Sequence, residues 1–198
     1  MTEVTTGRED NRAKLPRSPF PAWCSFLLTH PWRKREFDRD KITDQAGVKA
    51  GLTVFELGCG PGFFTETIAQ KVGPSGKVIA QDVGPKMIDK LKKRLRRFPV
   101  TENIEPLLAS SSATGLPEAS VDLIFAANVF EEIVREGEMA ATAAELFRVL
   151  KREGHLYFGE HRVPPRTIEK ILAELERAGF KRHDLDEIYF VHGAVFTK

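Results

Sequence analysis

The chain has 198 residues, enough for one domain that buries its own core without disulfides or metal. Its apolar and charged shares, 41% and 29%, are those of a soluble globular protein, and a formal net charge of +2 is too small to argue for nucleic acid as a partner. The two cysteines, Cys24 and Cys59, form neither a disulfide framework nor a metal-ligand pattern. No metal is therefore expected, and the cysteine usage fits the reducing cytoplasm.

Residues 1–18 are polar, with Glu3, Glu9 and Asp10 and no apolar core, so they read as a disordered tail and not as a signal peptide. Residues 19–50 read as an N-terminal strap or lid followed by a helix. Within them Phe20 to Leu28 is apolar but short and interrupted by Pro21, too short to span a bilayer. Residues 51–198 read as the main domain.

That domain opens on VFELGCGPGFF, Val54 to Phe64: an apolar strand, a turn with Gly58, Gly60 and Gly62, and the start of a helix. Such a strand-to-helix turn brings backbone close to a nucleotide-like ligand beyond the carboxyl ends of a sheet. The spacing is G-x-G-x-G, and Phe63 stands where a dinucleotide fingerprint would place its third glycine. No Lys-Ser/Thr pair follows, which excludes a phosphate-cradling P-loop. From Val54 to Gln70 there is no Lys or Arg, while Glu56 and Glu66 are present, a pattern suited to a ligand with a cationic part.

Further strands are expected at Lys77–Asp82, Ile104–Leu108, Val121–Ala127 and His155–Gly159, after a first at Thr53–Leu57. Two more are expected within Lys181–Asp186 and Tyr189–Thr197. Between them, Lys86–Arg97 and the i, i+3, i+4, i+7 pattern of Ile168, Ile171, Leu172 and Leu175 read as amphipathic helices. The α/β alternation predicts a Rossmann-like, doubly wound sheet of about seven strands. It is expected to be mostly parallel, with an antiparallel strand in a C-terminal hairpin. The basic face of the Lys86–Arg97 helix reads as solvated, with an RNA-binding stripe as the alternative.

Glu56-Leu57-Gly58-Cys59-Gly60-Pro61-Gly62 resembles the first motif of class I S-adenosylmethionine-dependent methyltransferases. Lys77 to Ile88, Val121 to Ile133, Phe147 to Phe158 and Leu175 to Phe180 are similar to later segments of that family, in the same order, so residues 40–198 are covered. The resemblance implies S-adenosylmethionine as cofactor. It places Gly58, Cys59, Gly60 and Gly62 at the cofactor's amino-acid end and Glu56 behind them, orienting the loop or accepting from the ammonium group. Asp82 would accept from the ribose hydroxyls, with Val83 beside it, and Asn128 would contact the cofactor through its backbone.

Two departures stand out. Four positions before Leu116-Pro117 the family often carries an acid that accepts from the adenine amino group; here Ser112 stands there, next to Ser111, which implies a weaker hold on adenine. Arg152-Glu153-Gly154 replaces the usual Pro-Gly-Gly and is expected to form a turn. Asn128, Glu131, Glu132, Glu160 and His161 follow the fourth and fifth strands, and His161 is the candidate general base. The expected activity is methyl transfer to a small-molecule acceptor. A non-catalytic cofactor-binding module acting through a partner, a nicotinamide-dependent oxidoreductase, or a protein or RNA methyltransferase are the alternatives.

Overall fold

In the computed structural model, residues 37–97, 102–183 and 192–198 are described. The expected tail and the strap at Phe20–Trp32 lie outside them, as do the beginning of the last expected strand and the end of the one before it.

Helix α1 (Arg39–Gln45) starts at Asp38, whose carboxylate accepts from the backbone N–H of Lys41 at 3.2 Å, an N-cap that satisfies one of the helix's orphan donors. After it come β1 (Thr53–Leu57), α2 (Thr65–Val72), β2 (Lys77–Asp82), α3 (Pro85–Leu95) and β3 (Ile104–Leu108). The second half runs β4 (Val121–Ala127), α4 (Phe130–Glu136), α5 (Met139–Val149), β5 (Leu150–Glu160), α6 (Pro165–Arg177), β6 (Lys181–His183) and β7 (His192–Thr197). Pro85 and Pro165 open α3 and α6, where a missing N–H costs nothing.

Among the described residues the strands form one sheet in the order β3-β2-β1-β4-β5-β7-β6. All pairs from β3 to β5 are parallel; β7 runs antiparallel to both β5 and β6, having inserted between them. The order reverses direction between β1 and β4, the switch point at which open α/β sheets bind ligands.

Strand alternation divides the core. Phe55, Leu57, Ile124, Leu156 and Phe158 face the layer of α4, α5 and α6, whereas Val54, Leu123, Phe125 and Tyr157 face the layer of α1, α2 and α3. Both layers are needed because the central strands are apolar on both faces.

The expected turn at Arg152-Glu153-Gly154 is instead part of β5. Val121 pairs with Leu150, but Leu123 already pairs with His155, so β5 bulges between these two points. Gly154 permits this: a Cβ there would lie 2.8 Å from the Asp122 carbonyl oxygen and 2.7 Å from Leu150 Cδ1.

Candidate cofactor site at the carboxyl edge of the sheet

A cavity of about 330 Å³ opens at the carboxyl ends of the central strands. Its walls come from the carboxyl ends of, and the turns after, β1 (Gly58, Gly60), β2 (Asp82, Val83), β3 (Ser110, Ser111), β4 (Asn128, Val129) and β5 (Glu160, His161), with α4 and its junction to α5 as one side.

The β1 turn is held tightly. Gly58 has φ +69°, and a Cβ there would collide with Val129 Cγ2, so only glycine fits. Its N–H donates to Gln81 Oε1 at 3.1 Å, the Cys59 N–H to the Gln81 carbonyl at 2.8 Å, and the Gly60 N–H to Asp82 Oδ2 at 2.9 Å. The Gly62 N–H closes back on the Cys59 carbonyl at 3.0 Å. These donors are spent inside the protein, so the turn is no nest for a phosphate.

Asp82 ends β2 with both carboxylate oxygens engaged, Oδ2 by Gly60 and Oδ1 by the Gly84 N–H at 2.7 Å. Each oxygen keeps a further lone pair for a ligand hydroxyl. Burial raises its carboxyl above the usual range, while the Gly84 and Gly60 N–H groups pull it back.

At the other end, Asn128 adopts a left-handed backbone, φ +54°, and its Oδ1 accepts from the His161 N–H at 2.9 Å. Its own N–H donates to the Gly159 carbonyl at 2.8 Å. Glu160 is buried, and one of its oxygens accepts from the N–H groups of Val129 at 2.9 Å and Phe130 at 2.7 Å, fixing the entry to α4. Burial pushes its carboxyl up to about 7, against the pull of the Phe130 and Val129 N–H groups. His161 lines the cavity and meets the Phe37 ring edge-on, centroids 5.5 Å apart.

Six carboxylates line this cavity (Asp82, Glu131, Glu132, Glu136, Glu138 and Glu160), and among the described residues no Lys or Arg does. Arg135 pairs with Glu131 at 3.2 Å and Glu132 at 2.6 Å. The wall therefore suits a ligand that carries positive charge and hydroxyl donors, as S-adenosylmethionine does with its ammonium, sulfonium and ribose. The donor set fits that group.

Of the residues singled out from sequence, Gly58, Gly60, Asp82, Val83, Ser111, Asn128, Glu131, Glu132, Glu160 and His161 line the cavity. Glu56, Cys59, Gly62 and Ser112 do not. Glu56 points to the opposite side of β1, among the residues under α2, where its Oε2 accepts from Thr65 Oγ1 at 2.6 Å. Cys59 is buried, and burial holds its thiol well above the usual range, which makes it an inert packing group. Gly62 serves packing, since a Cβ there would lie 2.6 Å from Leu91 Cδ1. Ser112 turns its hydroxyl onto Ser110 at 2.9 Å, outside the cavity wall.

Sequence reasoning missed Gln81, Ser110, Glu136 and Glu138. Gln81, a polar residue at the end of a buried strand, was a visible signal: besides holding Gly58, its Nε2 donates to the Ala109 carbonyl at 2.7 Å and ties together the turns after β1 and β3. Among the described residues no cluster of His, Cys, Asp and Glu could hold a metal ion, and no helix is long and apolar enough to cross a membrane.

A doubly wound sheet in this order, with an acidic cavity over a glycine turn and a carboxylate ending β2, defines a nucleoside-binding α/β protein of the methyltransferase type. Residues 54–154 match the family model described as a methyltransferase domain, and the chain belongs to the class I S-adenosylmethionine-dependent methyltransferases, whose cofactor is S-adenosylmethionine. A solved S-adenosylmethionine-dependent methyltransferase from Aquifex aeolicus superposes with a TM-score of 0.79 at 27% identity, covering 89% of this chain and 97% of that one. An uncharacterized 37.1 kDa protein in transposon TN4556 of Streptomyces fradiae is 31% identical over 147 residues, 74% of this chain and 41% of its own length. The ubiquinone/menaquinone biosynthesis C-methyltransferase UbiE of Salmonella arizonae is 31% identical over 121 residues, 61% of this chain and 47% of its own. The chain thus spans less than half the length of these two curated relatives.

Proposed function

We propose that the chain transfers a methyl group from S-adenosylmethionine to a small-molecule acceptor. The observation that carries this reading is the cavity: it joins the glycine turn and Asp82 at one end to Glu160 and His161 at the other. When bound, the cofactor supplies an electrophilic methyl group on a sulfonium centre; the protein's part is alignment and exclusion of water. Asp82 holds the ribose hydroxyls, and Gly58 and Gly60 let the backbone approach the amino-acid end. Asn128 and Val83 border the cofactor, and Asn128 also fixes the backbone of His161. His161, which lines the cavity, is the group assigned to take a proton from the acceptor. The relationship to UbiE, named for a step in ubiquinone and menaquinone biosynthesis, supports an acceptor of small size.

The test is acceptor-dependent formation of S-adenosylhomocysteine across a panel of phenols, amines, quinols and thiols. Turnover with at least one small molecule, lost in His161→Ala while cofactor binding persists, is the expected result. Tight cofactor binding with no turnover on the panel would support a binding module instead.

A further inference from the structure

We infer that Glu138, at the start of α5, accepts the hydrogen bond of the cofactor's exocyclic adenine amino group and so selects the base. This inference rests on the cofactor occupying the cavity described above.

The cavity residues set the direction in which the cofactor lies. Its amino-acid end belongs over the turn after β1 and its ribose at Asp82, because a carboxylate ending the second strand is where ribose hydroxyls are held. The next strand outward is β3, and the turn after it is drawn against β2: the Ala109 N–H donates to the Asp82 carbonyl at 3.3 Å, and Gln81 holds the Ala109 carbonyl. The base therefore lies by Ser110 and Ser111. An amino group there needs an acceptor.

Neither serine is well suited to that role. Ser110 Oγ is bonded to Ser112 Oγ and also takes the Ser112 N–H at 3.3 Å. Ser111 Oγ is bonded to Thr142 Oγ1 at 2.8 Å. A neutral hydroxyl already shared with a neighbour is a weaker acceptor than a carboxylate.

The Ser111–Thr142 bond also shows which element closes over the base. Thr142 lies in the first turn of α5, and its N–H donates to the Glu138 carbonyl at 2.9 Å. Glu138 is thus tied, through Thr142, to the serine that borders the base. It lines the cavity, its side chain caps nothing, and it forms no ion pair among the described residues. Glu136 lines the same wall across Gly137, whose φ of +79° turns the chain there. Its carboxyl is raised by burial first and then by the charges of Glu132 and Glu138, so negative charge crowds at this rim, and a hydrogen bond donated by a ligand relieves it. Glu136 is the more exposed of the two and has no link to the β3 turn.

The experiment is calorimetric titration of the full chain with S-adenosylhomocysteine and with S-inosylhomocysteine, which carries an oxo group where adenine carries the amino group. The wild type is expected to prefer the amino form roughly tenfold or more, because the oxo group presents an acceptor to a carboxylate. Glu138→Gln is expected to bring the two affinities within about threefold, since its amide can donate as well as accept. Glu136→Gln is expected to keep the wild-type preference. If Glu138→Gln does not fold, Glu138→Ala reports the same ratio. An unchanged preference in the Glu138 variant, or its loss in Glu136→Gln alone, overturns the assignment while leaving the cofactor site standing. Wild-type protein that binds neither compound overturns the site itself.

Discussion

Glu56 carries its carboxyl into the core and away from the cavity. It is buried, held by Thr65, and desolvation pushes it up to about 8; the charge of Asp82 adds to the rise, and Thr65 and Arg94 oppose it. The folded protein therefore keeps a proton on Glu56 over a range in which an unfolded carboxyl, ordinarily near 4.5, has lost it. Stability from this group is complete below the unfolded value and is lost as pH rises through about 8. Glu56→Gln keeps an acceptor for Thr65 and cannot ionise. Urea unfolding should show the wild type losing stability relative to Glu56→Gln between pH 5 and pH 8, by at most about 1.4 kcal/mol per pH unit. Parallel curves for the two proteins would mean that Glu56 is charged in the fold. The glycine motif made this acid conspicuous in the sequence but said nothing of its direction. Strand alternation decides it: with Phe55 and Leu57 facing α4 to α6, Glu56 must face the other layer.

The ends of β4 and β5 act together as one element of the site. Asn128 leaves β4 in a left-handed conformation and holds the backbone of His161, while Glu160 holds the first N–H groups of α4. Asn128→Gly retains the backbone freedom and loses only the bond to His161; Asn128→Ala loses both. The alanine variant should be the less stable by about 0.5–1 kcal/mol in denaturant titration, the left-handed strain outweighing the entropy that glycine costs. Equal stability would remove the backbone conformation as the reason for Asn128. At this scale β1 to β4 were legible to the residue, because each is a short apolar run bounded by turn residues. The limits of β5 were not, since its bulge hides Lys151 to Gly154 from the alternation that marks a strand. Nothing in the sequence marks Glu138 either; only the bond from Ser111 to Thr142, whose N–H meets the Glu138 carbonyl, ties it to the turn after β3.

The whole molecule couples these parts because the cavity is built from the carboxyl ends of, and the turns after, five strands, β1 to β5, and from α4 and its junction to α5. A ligand seated there contacts segments far apart in sequence, such as Gly58 and His161, and none of these surfaces exists in the unfolded chain. Binding must then stabilise the fold as a unit, by about 2.7 kcal/mol at a ligand concentration 100 times the dissociation constant. For a chain of this length that is a rise of roughly 5–10 °C in the unfolding midpoint. The denaturant slope should not change, because the surface exposed on unfolding is the same. Hydrogen exchange distinguishes this from a diffuse effect. The amides of Gly58, Gly60 and Gly84, bonded to Gln81 and Asp82, should slow by more than those of β6, whose three residues are exposed at the sheet edge. A thermal shift with S-adenosylhomocysteine that leaves those three amides unchanged would place the ligand somewhere other than the carboxyl edge, and the roles given to Asp82 and Glu138 would fall with it.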